Sequence, residues 1–144
     1  DAYAKDAPMD FMLFYGVGNH GGGPTITNLR EIEKYQQKAA HRFVYSDPDT
    51  FFRRIRERHP LLPVVMLSRP GFDFDPDAAQ RRSVVRATYE HALAAGDKNV
   101  YFIDGQTLFG DDDRAACTND CTHPNDLGMY RMAKVIAPVI VGVL

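Results

Sequence analysis

The heptapeptide Leu62-Pro63-Val64-Val65-Met66-Leu67-Ser68 is nearly all apolar and rich in β-branched residues, which is how a strand covered on both faces reads. Such strands sit in parallel sheets, joined by crossover helices that lie over the faces. The flanking residues supply those helices. Upstream, in "SDPDTFFRRIRERHP", Asp47 stands as a cap, Pro48 as the first helical residue, and Phe51, Phe52 and Ile55 as the buried face. Downstream, Asp75 and Pro76 repeat the cap. Val84, Val85, Thr88, Ala92 and Ala95 then share one side of a helix that Gly96 stops. The run "NVYFIDG" from Asn99 begins the next strand.

Further out the alternation continues. "DFMLFYGVG", Asp10 to Gly18, reads as a first strand, followed by a helix over "ITNLREIEKYQQKAA" with Thr25 as cap and Leu29, Ile32, Gln36 and Ala39 along one stripe. "HRFVYS" is the weakest of the four strands. The last helix starts near Pro124 and presents Met132, Val135, Ile136, Val139, Ile140 and Val143 at helical spacing, with Pro138 expected to bend it. Four strands alternating with helices predict a single α/β domain over residues 1–144. The expected architecture is flavodoxin-like, a three-layer α/β/α sandwich around a short, mostly parallel sheet. In such a fold, ligands sit beyond the carboxyl ends of the strands.

Charged residues make up 25% of the 144 residues and the formal charge is −2, with both signs interspersed, so no basic face favours nucleic acid or an anionic membrane. No apolar run approaches the ~18 residues of a membrane span. Cys117 and Cys121 lie four apart. They either close a small disulfide loop, which would point to a secreted or periplasmic location, or remain free thiols. The opening "DAYAKDAP" reads as a processed or excised terminus.

The chemistry-bearing residues gather at the predicted carboxyl edge: Gly18, Asn19 and His20, then Ser46, then Ser68 and Arg69, then Asp104, and finally Asp120 and His123. Acyl transfer needs an imidazole to take a hydroxyl proton and a carboxylate to hold that imidazole in the right tautomer. Asp-x-x-His lets one short loop carry both groups, and the same four residues also suit a helix cap. Of the three serines, Ser46, Ser68 and Ser83, Ser68 is best placed to be a nucleophile. Ser46 serves equally well as a helix cap, and Ser83 lies mid-helix.

The block "NVYFIDGQTLFGDDD…DCTHPNDLGMYRMAKVIAPVI", with "LPVVMLSRP" before it, resembles the closing segments of SGNH (GDSL-type) esterases and lipases. The likeness runs from about Phe51 or Leu61 to the end and is specific in D-x-x-H-P-N-D-x-G, Asp120 to Gly128. It implies Asp120 and His123 as triad acid and base, and hydrolysis of small, acetyl-type esters. The family's G-D-S serine block is missing, which implies a weak or incomplete activity. "GVGNH" stands as a degenerate form of the family's G-x-N-D block, with Asn19 and Gly18 as candidate oxyanion donors and Val17 in place of its glycine. The first fifty residues, through G-V-G-N-H-G-G-G-P-T and "VYSDPDTFF", resemble instead a segment of glycoside hydrolase family 38 α-mannosidases, without that family's zinc-binding and nucleophile motifs. The two resemblances together imply a chain joined from two α/β families by recombination or design.

Other readings stay open. The chain could be a non-catalytic or engineered scaffold. Gly16, Gly18 and Gly21 spell G-x-G-x-x-G, with Asp47 as a ribose acid, which would suit a nucleotide, although Gly22, Gly23 and Pro24 delay the helix. Cys117, Asp120, Cys121 and His123 could ligate zinc. The leading reading needs no cofactor and no metal, and takes a small-molecule ester as partner. An open sheet edge would favour a homodimer. Asp111 to Arg114 and the run Arg53 to Arg58 read as solvated faces.

Overall fold

The structure, a computed structural model, describes residues 25–38, 44–71 and 78–144. It divides into two compact units, Asp1–Ser46 and Asp47–Leu144. In the first, helix α1 spans Ile26–Lys38. The predicted cap holds: Thr25 Oγ1 accepts the Asn28 N–H at 3.1 Å, and Asn28 Oδ1 accepts the Thr25 N–H at 3.0 Å. Two otherwise unpaired helix-end donors are thereby satisfied. Leu29 and Ile32 are partly covered, whereas Gln36 is exposed.

The second unit runs α2 (Pro48–Arg58), β1 (Val64–Leu67), α3 (Ala78–Ala94), β2 (Val100–Ile103) and α4 (Asp126–Val143). Asp47 caps α2 as expected, its Oδ1 accepting the Thr50 N–H at 2.8 Å, with Pro48 in the first turn. The caps expected at Asp75 and Pro76 lie outside the described residues. At its other end α3 closes where predicted. Gly96, at φ 86°, bonds back to Leu93 O, and Asp97 N–H reaches Ala92 O at 3.0 Å, the Schellman pattern that occupies terminal carbonyls.

β1 and β2 pair in parallel, Val64 opposite Val100 through Leu67 opposite Ile103. They are the only two strands among the described residues, not the predicted four. The run at 10–18 lies outside those residues, and Val44 to Ser46 of the weakest candidate carry no strand. β1 is also less enclosed than its apolar run suggested: Val64 to Met66 are partly covered and Leu67 is 41% exposed. A strand's burial is set by what packs against each face, which composition does not state.

The core gathers Phe52 of α2, Ala92 of α3 and Val100 of β2, with Val64, Met66 and Tyr89 against them. Tyr89 stacks on Phe102 at 5.6 Å. Within α3, Thr88 and Ala92 are buried, whereas Val84 and, just past the helix end, Ala95, expected on the same face, are exposed. Arg56 holds this core at one end. Its guanidinium lies over the Phe52 ring, donates to Asp97 Oδ2 at 2.5 Å and to Leu62 O at 2.6 Å, and also reaches Asn99 O. The predicted wet basic face therefore has one inward member. Burial disfavours the Asp97 carboxylate, but hydrogen bonds from Arg56 and the Asn99 N–H outweigh it and draw its pKa down.

Candidate active site

Where β1 and β2 end, their continuations stay joined. Ser68 N–H donates to Ile103 O at 3.3 Å and Gly71 N–H to Gly105 O at 3.1 Å. Between these two bonds the Ser68 hydroxyl accepts the Gly105 N–H at 2.7 Å. The two chains approach so closely that a Cβ on Gly105 would stand 1.8 Å from Arg69 O. Ser68 is 3% exposed, and its buried hydroxyl is tolerable because it is hydrogen bonded. A groove of about 420 Å³ opens beside it, lined by Ser68, Arg69, Arg82, Val85 and Gln106 among others. Arg82 lies 3.6 Å from Asp104, whose Oδ1 also accepts the Gln106 N–H.

Beyond β2 the chain makes a 3₁₀ turn at Gly105–Thr107, buries Leu108 and Phe109, and passes the exposed Asp111 to Asp113. A second 3₁₀ turn follows at Arg114–Cys117. Two arginines tie this excursion down. Arg114 donates to Gly71 O at 2.6 Å, so the segment ahead of the acid–histidine loop lies at the exit of β1. Arg131 of α4 donates to Phe109 O and Asp112 O, both at 2.6 Å. Cys117 is fully buried with Phe109, and Met132 packs on the pair.

The loop from Thr118 to Pro124 is closed at its base by an antiparallel bridge between those two residues. Just outside it, Asn125 N–H donates to Cys117 O at 2.9 Å. The Asn125 side chain donates through Nδ2 to Ala116 O at 2.8 Å and accepts the Gly128 N–H at 3.1 Å, which makes it the N-cap of α4. The helix begins at Asp126, one residue after this cap and close to Pro124 as expected. Gly128 completes the base: a Cβ there would meet Cys117 O at 2.3 Å.

Inside the loop, side chains of Thr118 and Asp120 accept three backbone N–H groups. Thr118 Oγ1 accepts the Cys121 N–H at 3.1 Å. Asp120 Oδ1 accepts the N–H groups of Thr122 at 3.0 Å and His123 at 2.7 Å, while Oδ2 meets His123 Nδ1 at 2.5 Å. One carboxylate thus shapes the turn and orients the imidazole. The His123 ring, then the His123 and Thr122 N–H groups, hold the Asp120 carboxyl well below the usual carboxylate range. An ionised carboxylate only accepts, so neutral His123 carries its proton on Nδ1 and presents a basic Nε2. The His123 side chain is 59% exposed, within reach of a bound molecule. Cys121 takes a left-handed conformation, at φ 62°, a backbone state that costs a non-glycine residue about 1 kcal/mol and recurs in functional loops.

Asp120 and His123 are therefore brought together. Ser68 lies at the expected edge, but its hydroxyl is committed to Gly105, a structural clamp not foreseen in the sequence. Asn19, Gly18, His20 and the glycines of the G-x-G-x-x-G run lie outside the described residues. Asp47, weighed as a ribose acid, is a helix cap. Ser83 is exposed, its Oγ donating to Gln80 O at 2.6 Å. The two cysteines are free, Cys117 buried and Cys121 exposed, so the oxidising location that a disulfide would have implied has no support here. Among the described residues no three His, Cys, Asp or Glu side chains converge as a metal site would require. Nor is any described helix long and apolar enough to cross a membrane. Asn125 was missed as a clamp, although an Asn with Asp next and Gly three residues later is an N-cap signal.

Two solved structures are similar to this chain. One, described as a GDSL-like lipase from Bacteroides ovatus, is 31% identical with a TM-score of 0.52 over 65% of this chain and 29% of its own. The other, the salicylyl-acyltransferase SsfX3 from a tetracycline biosynthetic pathway, is 29% identical with a TM-score of 0.53 over 67% of this chain and 31% of its own. The chain thus spans about a third of the length of these relatives. No curated protein matches it. Nothing in the comparisons supports the mannosidase resemblance or a chimeric origin, and the family match begins at residue 37, inside the segment that resemblance claimed. Residues 37–141 match the GDSL-like lipase/acylhydrolase family, and the chain belongs to that family.

Proposed function

We propose that this chain carries the acid–base part of an acyl-transfer site, with His123 as general base and Asp120 as its orienting carboxylate, acting on small, acetyl-type esters. The observation that carries this reading is the Asp120 Oδ2 to His123 Nδ1 contact at 2.5 Å on an exposed loop, inside the family's matched segment. In the mechanism, Nε2 takes the proton of an attacking hydroxyl or water as it adds to the ester carbonyl. It then returns that proton to the leaving alkoxide, while Asp120 stabilises the imidazolium between the two steps. Water as acceptor gives hydrolysis and an alcohol gives transfer. The described residues assign no nucleophile, because the Ser68 hydroxyl is buried and bonded. Turnover is therefore expected to be slow.

The test is p-nitrophenyl acetate hydrolysis by wild type and by His123→Ala. General-base loss is expected to lower the enzyme-dependent rate by about 10²-fold or more, and a butyryl ester should turn over more slowly than the acetyl one. Equal rates in the two proteins would overturn the reading.

A further inference from the structure

We infer that Asn125 is a positioning residue for the imidazole, acting from outside the loop through the carbonyl of Ala116. Capping α4 needs only its Oδ1, which accepts the Gly128 N–H at 3.1 Å. Its amide nitrogen makes a second bond, donating to Ala116 O at 2.8 Å, nine residues back along the chain. With the Asn125 N–H on Cys117 O and the Thr118–Pro124 bridge, this bond fixes the 3₁₀ turn that enters the loop to the N-cap of the helix that leaves it. The seven residues from Thr118 to Pro124 then have one span to cover. Asp120 must accept two backbone N–H groups on one oxygen and the ring on the other. That three-way geometry tolerates little change in span, because misplacement of a reacting group by ~1 Å can cost about 10²-fold.

The two roles of Asn125 separate chemically. Asp and Ser are as good as Asn at an N-cap, but neither reproduces the amide donor: an ionised Asp only accepts, and a Ser hydroxyl used as cap is too short to reach a second partner. Asn125→Ser and Asn125→Asp should therefore keep α4 while freeing Ala116 O.

The experiment measures ¹⁵N shifts of the His123 ring at a pH where it is neutral, alongside melting temperature and steady-state kinetics. Wild type is expected to show predominantly the Nδ1–H tautomer. Both variants should melt within ~3 °C of wild type yet move toward the Nε2–H tautomer, the direction also expected of Asp120→Asn. Their kcat should fall about tenfold with KM unchanged. An unshifted tautomer and unchanged kcat in both variants would overturn the inference. Should Asn125→Ser lose its fold, Asn125→Asp, isosteric and favourably charged at a helix N-terminus, decides alone. Only the kinetic arm rests on the proposed function. Wild type without esterase activity would fail that reading, and the tautomer would still judge Asn125.

Discussion

The junction where β1 and β2 end and the loop from Thr118 to Pro124 use similar polar groups in opposite ways. At the junction, Ser68 turns its hydroxyl inward to Gly105 N–H, in a place too tight for any side chain on Gly105. In the loop, Asp120 turns its carboxylate onto the loop's own N–H groups and holds His123 outward. The first arrangement closes the sheet's carboxyl edge; the second presents an imidazole on an exposed loop. A side chain at a strand end lies beside the neighbouring strand's unpaired backbone and is readily recruited there. A loop whose N–H groups are accepted by one of its own carboxylates lets that same carboxylate orient a neighbouring imidazole.

The sharpest way to break this contrast is Gly105→Ala. With Arg69 O in the path of the new Cβ, the strand ends must part, and a loss of about 3 kcal/mol or more is expected, read as a fall in the urea midpoint. An unchanged midpoint would mean the junction is looser than drawn. Ser68→Ala should cost about 1 to 2 kcal/mol, since it strands a buried N–H, and should leave the His123-dependent ester rate in place. Loss of that rate at unchanged stability would make Ser68 the nucleophile after all. The smallest effect concerns Asp120. Its folded-state pKa is depressed, so its contribution to stability is complete above the unfolded value of about 3.9 and is lost as pH falls below that toward the folded value. The ¹³C carboxyl shift of Asp120 should accordingly remain that of the ionised form at pH 3. A midpoint near 4 would show that the ring and the two N–H groups do not hold it in solution.

Much of this was legible beforehand because it is local. Asp47 three residues before Thr50, Thr25 three before Asn28, and Asp120 three before His123 are pairs whose partners lie within one turn of chain, so spacing alone predicts the contact. The same holds for most of the α4 stripe, where Met132, Val135, Ile136, Val139 and Val143 are partly covered, whereas Ile140, expected with them, is exposed. The reading failed where burial depended on neighbours far away in sequence. Val84 and Ala95 share the periodicity of Thr88 and Ala92 but face solvent, and Arg56, in a run that looked uniformly wet, folds over Phe52 to reach Asp97.

The pattern of residues alone set the alternation of strand and helix from Pro48 to Ile103, the caps at Thr25 and Asp47, and the pairing of an acid with an imidazole three residues on, since each rests largely on interactions that a single turn of chain can make. Folding in three dimensions added what joins residues tens of positions apart. Ser68 became a clamp because Gly105, 37 residues away, arrives with an N–H to satisfy. Arg114 reached across to Gly71, 43 residues earlier, and thereby set the segment ahead of the loop at the strand exit. Such bonds depend on how packed elements meet, and a buried donor or acceptor must be paired by whatever the packing brings near it.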